Sequence, residues 1–427
     1  MNFKRPRGTA DILPDDQPYW SHVYSTAHKV ANQFGYRRID TPTFEDTNLF
    51  QRGVGDETDI VQKEMYSFED HGGDGITLRP EGTASVCRAY IENGLHNSPQ
   101  PVRMFYMAPM FRYERPQAGR FRQHHQFGCE AIGDQSPKVD AEIIELGWKY
   151  IADLGIKNVT LRLNSLGDPE GRTAYLSDLE NYFRGVADQL PKLDRARLDR
   201  APLRVLDSKA KETQTLADAA PKSVDYINGE AKEHWDELLS LLDNLKEVYP
   251  DFSYKVDHRL VRGLDYYNRT VFEYEPLDAG GQGTLLAGGR YDPLISILGG
   301  QETPAIGFGS GIERMILELK KQEAKIAPSA GPDIVVVTLG DAASAGAKLA
   351  TALRAANVST VLAPSRSMKA QMRYANQQNA SNVVIIGDRE VENGVASVKN
   401  LSESGAQSEV SLDVTSIAEH VRATGNQ

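Results

Sequence analysis

The sequence predicts an α+β fold in three parts: a mixed core, a mainly helical insertion and a C-terminal α/β domain. Three observations carry this. Residues 100–132 read as two long strands joined by a polar turn near 116–119. From 168 to 253 strand signals give way to Asp, Glu, Lys, Arg and Leu at helical spacing. From 333 onward, strand and helix patterns alternate, which implies a partly parallel sheet.

The elements follow in order. Trp20, Val23, Tyr24, Ala27, Val30, Ala31 and Phe34 recur at helical spacing, and Gly35 ends the run. A short strand over 36–41 stops at Pro42. A helix covers about 138–154, and Val159, Leu161 and Leu163 alternate as a strand after it. Strand character returns at 270–274 and 284–287, and a helix opens after Gly307, Gly309 and Gly311. Residues 320–332 mix charges with two prolines and a glycine, placing a linker at 326–332 between a core of 1–325 and a domain of 333–427. That domain reads as strand 333–339, helix 342–356, strand 359–363, helix 367–378 and strand 383–387.

A chain of 427 residues exceeds a single core, so two or three domains are expected. No apolar run has the length of a membrane span. Lys4, Arg5 and Arg7 are followed by no apolar region, which excludes a secretory signal and reads as a cytoplasmic chain. Cys87 and Cys129 are too few for a four-cysteine zinc site or a disulfide framework, so no metal site is expected on the protein. The net charge of -11 argues against nucleic acid, but Arg103, Arg112, Arg115, Arg120 and Arg122 form a local basic cluster.

That cluster lies on the hairpin. Arginine's planar fork suits phosphate oxygens, and Phe121 offers a ring for a base. Gln126 and Glu130 are four apart on one strand, so they share a face about 13 Å apart. An amide and a carboxylate on one sheet face suggest a polar pocket; a solvated hairpin with surface ion pairs accounts for the same composition. Residues 306–317 place glycines before a helix with Arg314 in its first turn. Residues 260–273 set Arg262 beside the adjacent Tyr266 and Tyr267, a pattern that a loop packing its tyrosines on a sheet also explains. Ala287-Gly-Gly-Arg-Tyr-Asp292 and Leu78-Arg-Pro-Glu-Gly-Thr-Ala84 mix glycine turns with polar groups. Each is unspecific alone.

Together they resemble the class II aminoacyl-tRNA synthetases, and within them the histidyl enzymes, over nearly the whole chain. Residues 36–42 resemble the class's first motif, whose proline-ended strand belongs to a dimer interface. Arg112 to Glu130 resembles the second motif, and Gly307 to Arg314 the third. The Leu-Val-Arg-Gly-Leu-Asp-Tyr-Tyr and Ala-Gly-Gly-Arg-Tyr-Asp stretches resemble the two histidyl signatures, and the hairpin loop resembles the bacterial form. The resemblance implies a catalytic core made of an antiparallel sheet flanked by helices, with the 333–427 domain binding the anticodon.

The resemblance also implies roles. Arg112 contacts ATP phosphate, Phe121 and Arg314 sandwich the adenine, and Arg262 acts on the α-phosphate. Glu81, Thr83 and Gln126 hold the amino group of histidine. Glu130, Tyr267 and Tyr291 surround its imidazole, with Tyr266 as the outward member of its pair. Mg²⁺ comes with the ATP phosphates. Arg115, Gln117 and Arg120 read the acceptor end of tRNA(His). Arg366, Lys369 and Arg373 recur at helical spacing and contact anticodon phosphates, though a solvated helix face has the same spacing. Three other readings fit parts of the chain: a histidine-sensing regulatory subunit of ATP phosphoribosyltransferase, a class II synthetase for proline or threonine, and an RNA-binding module. The first lacks the C-terminal domain, the second lacks the two signatures, and the third leaves the carboxylates without a purpose.

Overall fold

The computed structural model describes residues 3–55, 58–117, 119–199, 201–264, 266–278, 283–401 and 407–425, and forms two compact units, Met1–Ile326 and Ala327–Gln427. Ala118 of the hairpin loop and Asp265 of the tyrosine-pair signature lie outside the described residues.

The strands of the first unit are β1 (Arg37–Arg38), β2 (Phe44–Asp46), β3 (Tyr66–Glu69), β4 (Gly75–Leu78), β5 (Val102–Phe111), β6 (Gln123–Ile132), β7 (Val159–Ser165), β8 (Tyr254–Val256), β9 (Asn268–Pro276), β10 (Leu286–Arg290) and β11 (Ala305–Gly311). Eight of them form one sheet in the order β1-β5-β6-β11-β10-β9-β7-β8. The six central strands are antiparallel, and β1 and β8 pair parallel at the two edges. The expected strand at 36–41 is thus only two residues long in this sheet, and the hairpin β5–β6 encloses an eleven-residue loop rather than a tight turn.

Strand alternation divides the core. Phe105, Phe127, Leu161, Leu163, Phe272 and Phe308 face helices Gln17–Gln33, Pro137–Asp153, Gly229–Val248 and Ile312–Lys321 in one apolar cluster. Met104, Tyr106, Ala108 and Met110, one residue out of phase on β5, face the opposite side with Tyr266, Tyr267 and Tyr291. The functional side chains gather on this second face.

Two segments branch from the sheet. β2, β4 and β3 make a small antiparallel sheet. Within 168–253, the helices from Pro169–Gly185 to Lys211–Asp218 surround a small core of their own, including Leu179, Phe183, Leu198 and Val205. The helix Gly229–Val248 instead buries Trp235, Leu238 and Leu242 in the main core.

The second unit has strands β12 (Ile334–Thr338), β13 (Thr360–Leu362), β14 (Asn382–Ile386), β15 (Val395–Asn400) and β16 (Gln407–Ser411). Their order is β13-β12-β14-β15-β16, parallel across the first three and antiparallel across the last two pairs. Apolar clusters lie on both faces of this sheet. Among the described residues, no helix of the protein is long and apolar enough to cross a membrane.

Candidate active site

The second face of the large sheet carries a cavity of about 240 Å³. Its floor is low because its strands lack side chains there. Gly309 and Gly311 of β11 and Ala287 of β10 line it. The glycines 307, 309 and 311 therefore belong to a strand that is bare on one face from 307 to 311, and the helix begins at Ile312. Gly307 serves the layer beneath. A Cβ there would sit 1.8 Å from Glu130 Oε2 and 2.6 Å from the Cys129 carbonyl, so only glycine lets Glu130 lie flat under the neighbouring strand.

Of the expected site residues, Glu81, Thr83, Arg112, Arg120, Phe121, Gln126, Arg262, Tyr266, Tyr267 and Arg314 line this one cavity. They come from separate stretches of chain, which the sheet brings together. At one end, Arg112 donates through Nε to the Pro80 carbonyl (2.7 Å). Arg314 donates to the Gly119 carbonyl (3.2 Å) and the Thr284 carbonyl (2.9 Å), so the start of its helix is tied to the hairpin loop. Burial, together with Arg120 and Arg112 nearby, pulls the Arg314 guanidinium below the usual arginine range. Like charges held together out of water are poised for an anion.

Arg262 lies deeper and ion-pairs with Glu273. Burial opposes its charge, but Glu273 and the tyrosines beside it hold its pKa above the ordinary value. Its Nε is buried without a hydrogen-bond partner, leaving a donor for a ligand. His124, between Arg112 and Arg314 in the same wall, is pushed down to about 3 by burial and by those arginines, so it is neutral at physiological pH.

At the other end, Glu81 accepts from the Thr83 and Ala84 amides (both 2.8 Å), capping the helix Thr83–Glu92 with a buried carboxylate. Thr83 Oγ1 donates to Glu130 Oε1 (2.8 Å), Tyr106 donates to the same oxygen (3.4 Å), and Tyr291 donates to Oε2 (2.5 Å). Glu130 is fully buried, and burial pushes its pKa up to about 8 against the pull of these three hydroxyls.

Three of the expected residues sit differently from the rest. Glu130 and Tyr291 do not stand on the cavity wall; they lie one layer behind it, touching it through Thr83 and Tyr106. Strand alternation gave the right face for Glu130 but not its depth. Tyr266 is not the outward member of its pair: it is as buried as Tyr267, the rings lie 4.6 Å apart, and both line the cavity. Tyr266 also packs edge-on to Tyr291 (5.8 Å).

Several lining residues escaped the sequence reading: Tyr106, Glu114, Glu273, Thr284 and Glu313. Glu273 and Thr284 had no separate signal, because their role depends on which strand lies beside Arg262. Glu313 had one, as the neighbour of Arg314; it accepts from the His125 amide (3.0 Å) and ring Nδ1 (2.8 Å), pinning β6 to the helix Ile312–Lys321. The arginine of the Ala-Gly-Gly-Arg-Tyr-Asp stretch belongs to the frame. Arg290 is wholly buried and pairs with Asp140 (2.6 Å) and Asp292 (3.2 Å), fixing β10, and so Tyr291, to the helix Pro137–Asp153. Removing one member of such a pair typically costs about 3–5 kcal/mol.

The loop residues Arg115, Gln117 and Arg120 are exposed, and Arg120 turns toward the cavity mouth to pair with Glu114 (3.4 Å). In the second unit Lys369 and Arg373 are exposed on the helix Met368–Gln377. Arg366 precedes that helix, ahead of its cap Ser367, so it does not share the helix face that the spacing suggested.

A family model described as Histidyl-tRNA synthetase matches residues 8–315, and one described as Anticodon binding domain matches residues 333–422. The chain is 48% identical to a histidine–tRNA ligase of Dehalococcoides mccartyi, over 96% of this chain and 97% of that one. It is 43% identical to a histidine–tRNA ligase of Caldicellulosiruptor saccharolyticus, over 99% and 100%. Its fold matches the apo crystal structure of a Staphylococcus aureus histidyl-tRNA synthetase with a TM-score of 0.81 and 35% identity, over 99% and 100% of the two chains. With these relatives and a family match spanning most of its length, the chain belongs to the histidyl-tRNA synthetase family of aminoacyl-tRNA ligases.

Proposed function

We propose that this chain activates histidine with ATP and transfers it to the 3′-terminal adenosine of tRNA(His), using the cavity on the large sheet for both steps. The observation that carries this is the polarity of the cavity: four arginines toward one end, and a buried carboxyl group with its hydroxyls at the other. A triphosphate matches the first and an amino acid with a second polar group matches the second.

The histidine carboxylate attacks the α-phosphorus, the P–O bond to pyrophosphate breaks, and the charge on phosphorus oxygens rises. An α-carboxyl is already ionised above about pH 4, so no base is needed. Alignment and charge stabilisation do the work. Arg112 binds phosphate at the cavity mouth, Arg262 takes the α-phosphate with its free Nε, and Phe121 and Arg314 hold the adenine. Mg²⁺ would come with the outer phosphates and would offset part of their charge; Glu114, whose Oε2 lies 3.4 Å from Arg120 in the same cavity, would be the oxygen donor to hold it.

Glu81, Thr83 and Gln126 receive the ammonium group. Because Thr83 and Tyr106, which line the cavity, both donate to Glu130, their oxygens keep lone pairs for a ligand. Glu130 and Tyr291 thereby select the imidazole from behind the wall, with Tyr267 and Tyr266 enclosing it. Arg115, Gln117 and Arg120 read the acceptor end of the tRNA, and Arg366, Lys369 and Arg373 contact anticodon phosphates. A second copy of the chain covers the small sheet, where Phe44 and Phe68, each about half exposed, share a face with Tyr66, Ile76 and Leu78. The enzyme works in the cytoplasm.

The test is exchange of labelled pyrophosphate into ATP with histidine, using proline, threonine and glycine as controls. Exchange with histidine alone is expected. Histidine binding without exchange would instead fit a histidine-sensing subunit.

A further inference from the structure

The loop that carries Arg262 runs between β8 and β9, and none of its described residues lies in a helix or strand. Its side chains must therefore fix its position, and they belong to different packing units. Leu260 is buried with the site tyrosines. Val261 packs both on that cluster and on the insertion's own core. Leu264 packs on the cluster of Phe50, Val54, Ile60 and Ala84. Three packing clusters thus touch within five residues around Arg262, the tyrosine cluster being common to Leu260, Val261 and Leu264.

One side chain bridges them. Arg204, on the short insertion helix Leu203–Leu206, donates through Nη2 to the Gly263 carbonyl (3.1 Å) and through Nη1 to Asp59 Oδ2 (3.1 Å). Gly263 is the residue after Arg262. Asp59 opens the helix Ile60–Glu64, whose Glu64 carbonyl accepts from the Tyr113 amide (2.7 Å), next to Arg112. A single guanidinium thus joins the insertion to both segments that place the phosphate-binding arginines. Arg204 lines a neighbouring cavity of about 330 Å³ that shares Arg112, Arg262 and Arg314 with the site, but it does not reach the catalytic cavity itself.

We propose that Arg204 is a positioning residue through which the helical insertion sets the alignment of Arg262, so that the insertion governs amino-acid activation. Arginine suits the task because its fork spans two acceptors at once, whereas lysine offers one compact charge. The proposal rests on the role given to Arg262 above.

The experiment is histidine-dependent pyrophosphate exchange on the full-length chain without tRNA, with melting curves for each variant. A misplacement of about 1 Å can cost about a hundredfold in rate, so Arg204→Ala should lower kcat ten- to about a hundredfold and leave the KM values for ATP and histidine within twofold. Arg204→Lys should recover part of that loss, and Asp59→Asn, which spares the bond to Gly263, should lose less than Arg204→Ala. A kcat within twofold of the parent for Arg204→Ala, or a loss confined to KM, overturns the proposal. If Arg204→Ala melts early, unchanged kcat in both Arg204→Lys and Asp59→Asn overturns it instead. A parent chain with no histidine-dependent exchange refutes the reading of the whole site, and this inference with it; a parent that exchanges isolates the failure to Arg204.

Discussion

The arginines of the catalytic cavity and the cations of the C-terminal unit differ in how they are held. Arg112, Arg262 and Arg314 are partly buried, each fixed by a carbonyl or a carboxylate. Arg366, Lys369 and Arg373 stand on the surface of their unit. Fixing a charge out of water costs free energy before any ligand arrives. In return the charge needs no reorganisation when negative charge develops in a transition state. An exposed cation keeps its hydration, is screened beyond about 10 Å in 0.1 M salt, and attracts polyanions by releasing their counterions. The first arrangement suits a rate, the second an affinity.

The sharpest way to break this contrast is at Glu130, which has the least water and the most partners. Glu130→Ala frees three hydroxyls at once and should lower kcat/KM for histidine in pyrophosphate exchange by about 10³-fold or more, with the KM for ATP nearly unchanged. A loss below tenfold in a variant that still melts like the parent would make Glu130 a packing residue. Next is Arg262. Removing one preorganised charge from a developing oxyanion typically costs about 10²–10³-fold, so Arg262→Ala should lose that in kcat with the KM for ATP within threefold. A loss carried by KM would move Arg262 to ground-state nucleotide binding and weaken the contrast. The smallest effect belongs to the C-terminal unit. Replacing Arg366, Lys369 and Arg373 together by Ala should leave exchange unchanged and raise the KM for tRNA severalfold. The slope of log affinity against log salt should fall by about 0.7–0.9 for each phosphate that these cations had neutralised. An unaltered slope would mark these residues as solvated surface.

How much of this was legible in the sequence follows from what each signal encodes. Helical spacing located the Gln17–Gln33 helix, because one buried stripe at 3.6-residue spacing needs no partner to be recognised. Alternation located β5, β6 and β7 for a similar reason. That the large sheet is antiparallel came from resemblance, and the order of its strands was not read, since pairing between β6 and β11 joins residues about 180 apart and leaves no local trace. The same limit hid Glu273, Thr284 and Arg204, whose importance lies in what crosses the gap to them. Residues 395–411 were missed as strands; β16 is polar and largely exposed, and offered little apolar alternation to read. At the site, residue types identified which side chains gather but not their layer: Glu130 and Tyr291 lie behind the residues that line the cavity. The glycines of β11 carried an unread signal: a period of two, the spacing of a strand.

Those glycines have a further consequence for how the protein tolerates change. At Gly307 a methyl group would collide with the protein itself, whereas at Gly309 it would meet nothing closer than 3.6 Å and project into the cavity. The first is a requirement of folding. The second is a requirement of vacancy: the chain would accept the extra carbon, and the carbon would then behave as a tethered competitor occupying room meant for a substrate. Neighbouring positions two residues apart on one strand are thus constrained for opposite reasons, one by what the protein must contain and one by what it must leave out.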